Sequence, residues 1–239
     1  MNLNTLKDKQ SKILNLLLKC GENKYKIKAC SDLSPIGWHI LHCVYIETFW
    51  IQKYFFNDKV LSDRLQEKFD ADNIKIINRG KNLPKFLDIV KFAKQSFLNN
   101  RSDLIRISEN KKINKKISVN YIYNFLIHHH SQHIETMYMI LNMINFNYNK
   151  NYKKYMAEIN AREYVFDAID VKKKSFFVGS DLNDFSYDNE KPKYNINIKS
   201  FKISRDLITL GQWKAFIEDG GYKKKQYWSK KAWIWKENN

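Results

Sequence analysis

Cysteine is scarce in this 239-residue chain: Cys20, Cys30 and Cys43 are odd in number and follow no CxxC spacing. That excludes a disulfide framework and a thiolate zinc cluster, and the three thiols read as reduced. Long apolar runs are missing as well. No stretch approaches the roughly 20 uninterrupted apolar residues of a membrane helix, and MNLNTLKDKQSK lacks the apolar run of a secretory leader. A cytoplasmic location and no membrane partner are the expectations. Acidic residues are outnumbered, 25 against 42 Lys and Arg, for a formal charge of +17. Such a balance raises the question of nucleic acid. The lysines, however, spread over almost the whole chain among Asn and Ile, and no nucleic-acid motif accompanies them. The charge is read as composition, with no nucleic-acid partner expected. KKINKK at 111–116 and GGYKKKQ at 220–226 read as solvated loop edges that could at most steer anions.

What is present suffices for a sizeable core: 44% of residues are hydrophobic and 15% aromatic, enough for one large domain or a domain plus part of another. The apolar spacing is helical from residue 2 to about 147. It runs through Leu3, Leu6, Ile13, Leu14 and Leu17, then Ile36 to Phe56, Leu83 to Leu98, and Val119 to Ile144. Four helices in one bundle are expected. SDLSP at 31–35 and NLP at 82–84 supply start signals for the second and third. After NFNYNKNYKK the texture shifts to short alternating runs, FFVGS at 176–180 and YNINIKSFKIS at 194–204, which predict strands. ITLGQWKAFIEDGGY predicts a helix closed by Gly220 and Gly221.

Histidine is rare and grouped. Four of the six lie in FLIHHHSQHIETM at 125–137, and the others, His39 and His42, lie in SPIGWHILHCVYIETFW. His129 and His133 are four apart on one predicted helix, about 40° apart around its axis, so both imidazoles can meet the same ion. His42 lies on a second helix, and bundles build metal sites where facing helices converge. Three neutral imidazoles would hold one divalent ion with coordination positions open. An H-x-x-x-H pair alone is equally compatible with a packed core. His128 and His130 point off the 129/133 line, although His130 and His133 at i,i+3 could also pair. His39, one turn before His42, reads as exposed, with hydrogen bonding to a ligand as the alternative.

WHILH followed by IETFW, then H-x-S-Q-H-I-E-T-M, resembles the DinB-like metal-binding bundle. FSYDNEKPKYNINIKSFKISRDLITLGQWKAFIEDGGYKKKQYWSKKAWIW resembles the start of the formylglycine-generating-enzyme (sulfatase-modifying factor, C-type-lectin-like) fold. Joined in this order, the two resemble the iron-dependent sulfoxide synthases of ergothioneine and ovothiol biosynthesis. The resemblance implies an α + (α+β) chain: a four-helix bundle over 1–147, a linker over 148–170 and a partial second domain over 171–239. It implies Fe(II), that is Fe(2+), held by His42, His129 and His133. Its substrates would be O2, a small-molecule thiol (cysteine or γ-glutamylcysteine) and histidine or its trimethyl betaine. Gln132 would contact the histidine-type substrate and Arg79 a substrate carboxylate. Trp38, Phe49 and Trp50 are expected in the core. Glu47 and Glu135 would orient ligand imidazoles or close local hydrogen bonds, and Asp188, Asn189 and Glu190 would form a polar turn.

Two departures from the family pattern stand out. Leu41 replaces a glycine usual before the ligand histidine. The resemblance also places a catalytic tyrosine and most of the substrate-binding groups beyond Asn239, so a truncated product, a fragment or one half of a split enzyme is expected. The alternative activity is that of a DinB-type metal-dependent thiol transferase, which needs no appended domain.

Overall fold

The computed structural model describes residues 2–110, 117–148, 167–182 and 185–238. The KKINKK segment and most of the expected linker, residues 149–166, lie outside them. Two compact units result: Met1–Met156 with Phe185–Asn189, and Ala157–Asp184 with Glu190–Asn239.

The first unit is helical. Helix α1 (Asn2–Cys20) buries Leu6, Ile13, Leu16, Leu17 and Cys20 along one stripe while its lysines face solvent. Helix α2 (Ile36–Thr48) has no solvent-facing side, since every residue but Ile46 is buried. A helix buried on nearly every side belongs at the centre of its domain, and α2 packs against α1, α3, α4 and α5. Helix α3 spans Val60–Phe69, α4 Phe86–Glu109 and α5 Val119–Tyr148. In α5 the buried positions Tyr123, Leu126, His130, Ile134, Met137, Leu141 and Ile144 recur every three or four residues and face α1 and α2. At about 25 cal/mol per Å² of apolar surface removed from water, these stripes supply the main driving force for the unit. No helix among the described residues is long and apolar enough to cross a membrane. Cys20, Cys30 and Cys43 are free thiols.

Three details differ from the periodicity. The run expected as one helix from Ile36 to Phe56 leaves α-geometry at Thr48 and continues as a π-helical turn, Phe49–Phe55. Helix α3, absent from the four expected, buries only Ser62, Leu65 and Phe69, too few apolar positions for a periodic signal. Helix α4 starts after Pro84 with Lys85 as N-cap and runs eleven residues past Leu98, because Leu104 and Ile107 keep the stripe going. The loop before it turns at Gly80 (φ 90°), where an added Cβ would stand 2.3 Å from Pro35 Cγ. Only glycine fits that approach.

In the second unit, β1 (Ala168–Val171) pairs antiparallel with β4 (Phe201–Ser204), and β2 (Lys174–Val178) with β3 (Tyr194–Ile198). Ala168 faces Ser204 and Lys174 faces Ile198, so the register carries through the break unchanged and the two pairs continue one ribbon. Strands β2 to β4 fall on the expected alternating runs. Helix α6 (Leu210–Glu218) opens with a capping box between Thr209 and Gln212 and closes at Gly220 (φ 76°), as ITLGQWKAFIEDGG predicts. Helix α7 (Lys230–Glu237) starts at Ser229, whose hydroxyl accepts from the Ala232 amide.

Candidate metal centre

Helices α2 and α5 bring His42, His129 and His133 together. The Nε2 atom of His129 lies 3.2 Å from Nε2 of His42 and 3.2 Å from Nε2 of His133. One ligand atom from each ring fits within a 4.8 Å cluster. The opposite edges of the rings are all engaged. His42 Nδ1 donates to the Phe69 carbonyl at 2.6 Å, His133 Nδ1 lies 2.9 Å from His39 Nδ1, and His129 Nδ1 lies 3.4 Å from His130 Nδ1. A neutral imidazole carries one proton. With that proton on Nδ1, each ring turns an Nε2 lone pair towards the other two.

Three lone pairs converging with no donor between them repel unless a cation lies among them. Ligand nitrogens about 2.1 Å from an ion at angles between 90° and 109° stand about 3.0 to 3.4 Å apart, and 3.2 Å falls in that interval. The donor set therefore fits a divalent ion. Burial supports it. Removal from water lowers His42 from its ordinary 6.5 to about 4 and holds His129 and His133 well below 6.5, with the neighbouring imidazoles adding to the effect. Each ring is thus neutral and ready to ligate at neutral pH.

Trp38 stacks on His42 with ring centroids 4.8 Å apart and planes 11° apart, and the Arg79 guanidinium lies over the indole, 4.7 Å from its centroid. Arg79 also donates from Nε to the Ile74 carbonyl (2.9 Å) and from one Nη to that of Ala71 (2.5 Å). Gln132 is exposed on α5 beside His133, and Glu135 is exposed as well. Trp38 is a core residue, as expected, whereas Phe49 and Trp50 are half-buried.

His39 departs from the expectation of exposure. It is buried rather than exposed, and burial, with His42 and Arg79 nearby, lowers it to about 3. The apolar residues around it, Ile36, Trp38, Ile40, Leu41, Cys43 and Val44, leave α2 no side for solvent, and that was the signal for its burial. His130 also joins the interior: its Nε2 meets Glu47 Oε1 at 2.7 Å, and neither side chain is exposed to solvent. Glu47 therefore bonds a histidine beside a candidate ligand rather than a candidate ligand itself. A second candidate ligand group joins Cys43 to His129 and His130. It competes for His129, and burial pushes the Cys43 thiol well above 9, as does the Glu47 carboxylate. His128 stands outside both sets, packed on Phe185 and Tyr187, whose rings lie 4.4 and 4.1 Å away. Tyr121 on the same helix donates to Asp188, in the expected polar turn Asp188–Glu190.

Residues 155–239 match the sulfatase-modifying factor enzyme 1-like domain. The chain is 40% identical over 63 residues to hercynine oxygenase of Mycolicibacterium thermoresistibile, covering 26% of this chain and 14% of that protein. It is 30% identical over 120 residues to hercynine oxygenase of Mycobacterium tuberculosis, covering 47% of this chain and 27% of the relative. With hercynine oxygenase of Mycolicibacterium smegmatis it shares 44% identity over 48 residues, 20% of this chain and 11% of the other. The matched stretches thus span about a quarter or less of the curated relatives. Residues 155–239 are thus similar to the sulfatase-modifying factor enzyme 1-like domain, and stretches of the chain are similar to the hercynine oxygenases.

Proposed function

We propose that this chain supplies the metal centre of an Fe(II)- and O2-dependent sulfoxide synthase. The enzyme would join the sulfur of cysteine or γ-glutamylcysteine to the imidazole ring of histidine or its trimethyl betaine, hercynine. The observation that carries the reading is the convergence of the His42, His129 and His133 Nε2 atoms with every Nδ1 engaged behind them. The relatives' name supplies the substrate class. In this reading the helical unit is a DinB-like bundle over 1–147, joined through a linker expected over 148–170 to a formylglycine-generating-enzyme-like domain expected over 171–239, within a matched span that itself begins at residue 155.

Fe(II) held there would supply the redox chemistry that sulfur–carbon coupling with O2 requires. The protein's own part is holding and aligning. Three neutral imidazoles leave the ion its full charge and leave positions for a thiolate and a substrate imidazole. Gln132, exposed next to His133, would hydrogen-bond a substrate ring through its amide. Arg79, fixed by two backbone carbonyls and the Trp38 face, would offer its guanidinium in a set orientation to a substrate carboxylate. The match over 155–239 favours this reading over a DinB-type thiol transferase, which has no such domain.

The test is anaerobic addition of cysteine or γ-glutamylcysteine to the Co(II)-loaded chain. A sulfur-to-cobalt charge-transfer band that saturates with thiol supports the reading, and a further change on adding hercynine places both substrates at one centre. A chain that binds cobalt yet shows no thiol band would contradict it.

A further inference from the structure

The buried Glu47–His130 pair has no role in holding the ion directly. Glu47 Oε1 accepts from His130 Nε2 (2.7 Å) and from Gln10 Nε2 (2.6 Å), and Oε2 accepts from Asn100 Nδ2 (3.0 Å). Gln10 in turn accepts from Arg101, and Asn100 Oδ1 from Gln52 Nε2 at 3.2 Å. Helices α1, α2, α4 and α5 thus converge on one carboxylate with no exposed surface. A buried carboxylate is costly to desolvate, and well-packed apolar residues commonly replace such groups without loss of stability. Packing alone therefore gives no reason for it.

The direction of the hydrogen bonds gives one. A carboxylate only accepts, so the proton between Glu47 and His130 sits on His130 Nε2. In the neutral ring, Nδ1 of His130 is then bare, and it lies 3.4 Å from Nδ1 of His129. With the proton on that second bond supplied by His129, His129 Nε2 is left as a lone pair aimed at His42 and His133. We infer that Glu47, acting through His130, is the device that fixes the tautomer and orientation of His129 and raises the basicity of the His129 Nε2 lone pair. Both are positioning residues. Outer partners of ligand histidines are ordinarily a carboxylate, a carbonyl or a water. Here a second histidine stands between carboxylate and ligand. Of the three rings only His129 has this anionic support, since His42 is backed by a carbonyl and His133 by His39.

The inference rests on the three-histidine metal reading, and the experiment separates the two. In the full chain labelled with 15N-histidine and loaded with Zn(II), long-range proton–nitrogen spectra report which ring nitrogen carries each proton. His42, His129 and His133 should be protonated at Nδ1 and His130 at Nε2 alone. In parallel, Glu47→Gln, which keeps the shape of the side chain, should weaken Co(II) binding about tenfold to a hundredfold and shift the cobalt visible bands. Cys43→Ser should leave both unchanged. A proton on His130 Nδ1, an unaltered cobalt spectrum and affinity in folded Glu47→Gln, or loss of a sulfur-to-cobalt band in Cys43→Ser would each overturn the inference while leaving metal binding intact. A parent chain that takes up neither Zn(II) nor Co(II) would overturn both readings. The tautomer measurement uses the unaltered chain and so stands even if Glu47→Gln fails to fold.

Discussion

His39 and His133, 94 residues apart, bring their Nδ1 atoms within 2.9 Å of each other. The pair ties α2 to α5 beside the candidate centre and holds His133 with its Nε2 facing His129. Replacing His39 by Leu keeps the bulk and removes the acceptor. Metal affinity should then fall about tenfold to a hundredfold, as for other lost partners of a ligand histidine. Isothermal titration with Co(II) measures it, and an unchanged affinity would reduce His39 to packing.

Acid should destabilise the metal-free chain. Burial lowers His39 to about 3 and His42 to about 4, and holds His129 and His133 well below 6.5. In the unfolded chain all four titrate near 6.5, so below that pH the unfolded state binds more protons and folding stability drops. Above 6.5 both states are neutral and the contribution is flat. Each proton involved adds about 1.4 kcal/mol per pH unit to the slope. Urea unfolding followed by helical circular dichroism should show stability falling steadily from pH 6.5 to 4. A flat profile over that range would contradict the burial of these rings.

Gly80 should resist substitution. Its φ of 90° is unfavourable for an L side chain, and an alanine Cβ would meet the Pro35 ring at 2.3 Å. Gly80→Ala should cost on the order of 1 to 3 kcal/mol and displace the neighbouring Arg79 from Trp38. The melting temperature together with tryptophan fluorescence checks both effects, and a variant as stable as the parent would show the loop yielding freely.

Gln132→Ala should leave metal affinity nearly unchanged but weaken the spectral response of the metal-loaded chain to histidine or hercynine. A hydrogen bond of about 1 kcal/mol corresponds to about fivefold in affinity. An undiminished response in the variant would remove Gln132 from the substrate site.

Legibility in the sequence followed the strength of each physical signal. The H-x-x-x-H spacing sets His129 and His133 on one face by helix geometry alone, and the long stripes of α1, α4 and α5 are periodic enough to announce themselves. Helix α3 was hidden because two buried apolar side chains, Leu65 and Phe69, make no period. The π-helical turn at Phe49–Phe55 was hidden because its apolar residues satisfy an α-helical pattern equally well. His39 and His130 were misplaced or left aside for a shared reason. Their roles depend on partners 94 and 83 residues away, His133 and Glu47, which only the packed helices bring within reach.

The most direct test of the metal centre is anaerobic Fe(II) titration of the parent chain and of four single variants. The parent should bind one Fe(II) per chain. His42→Ala, His129→Ala and His133→Ala should each abolish tight binding, because two imidazoles are too few to hold the ion, and His128→Ala, altering a ring packed on Phe185 and Tyr187, should bind like the parent. Equal loss in His128→Ala, or tight binding retained in any of the other three, would contradict the assignment.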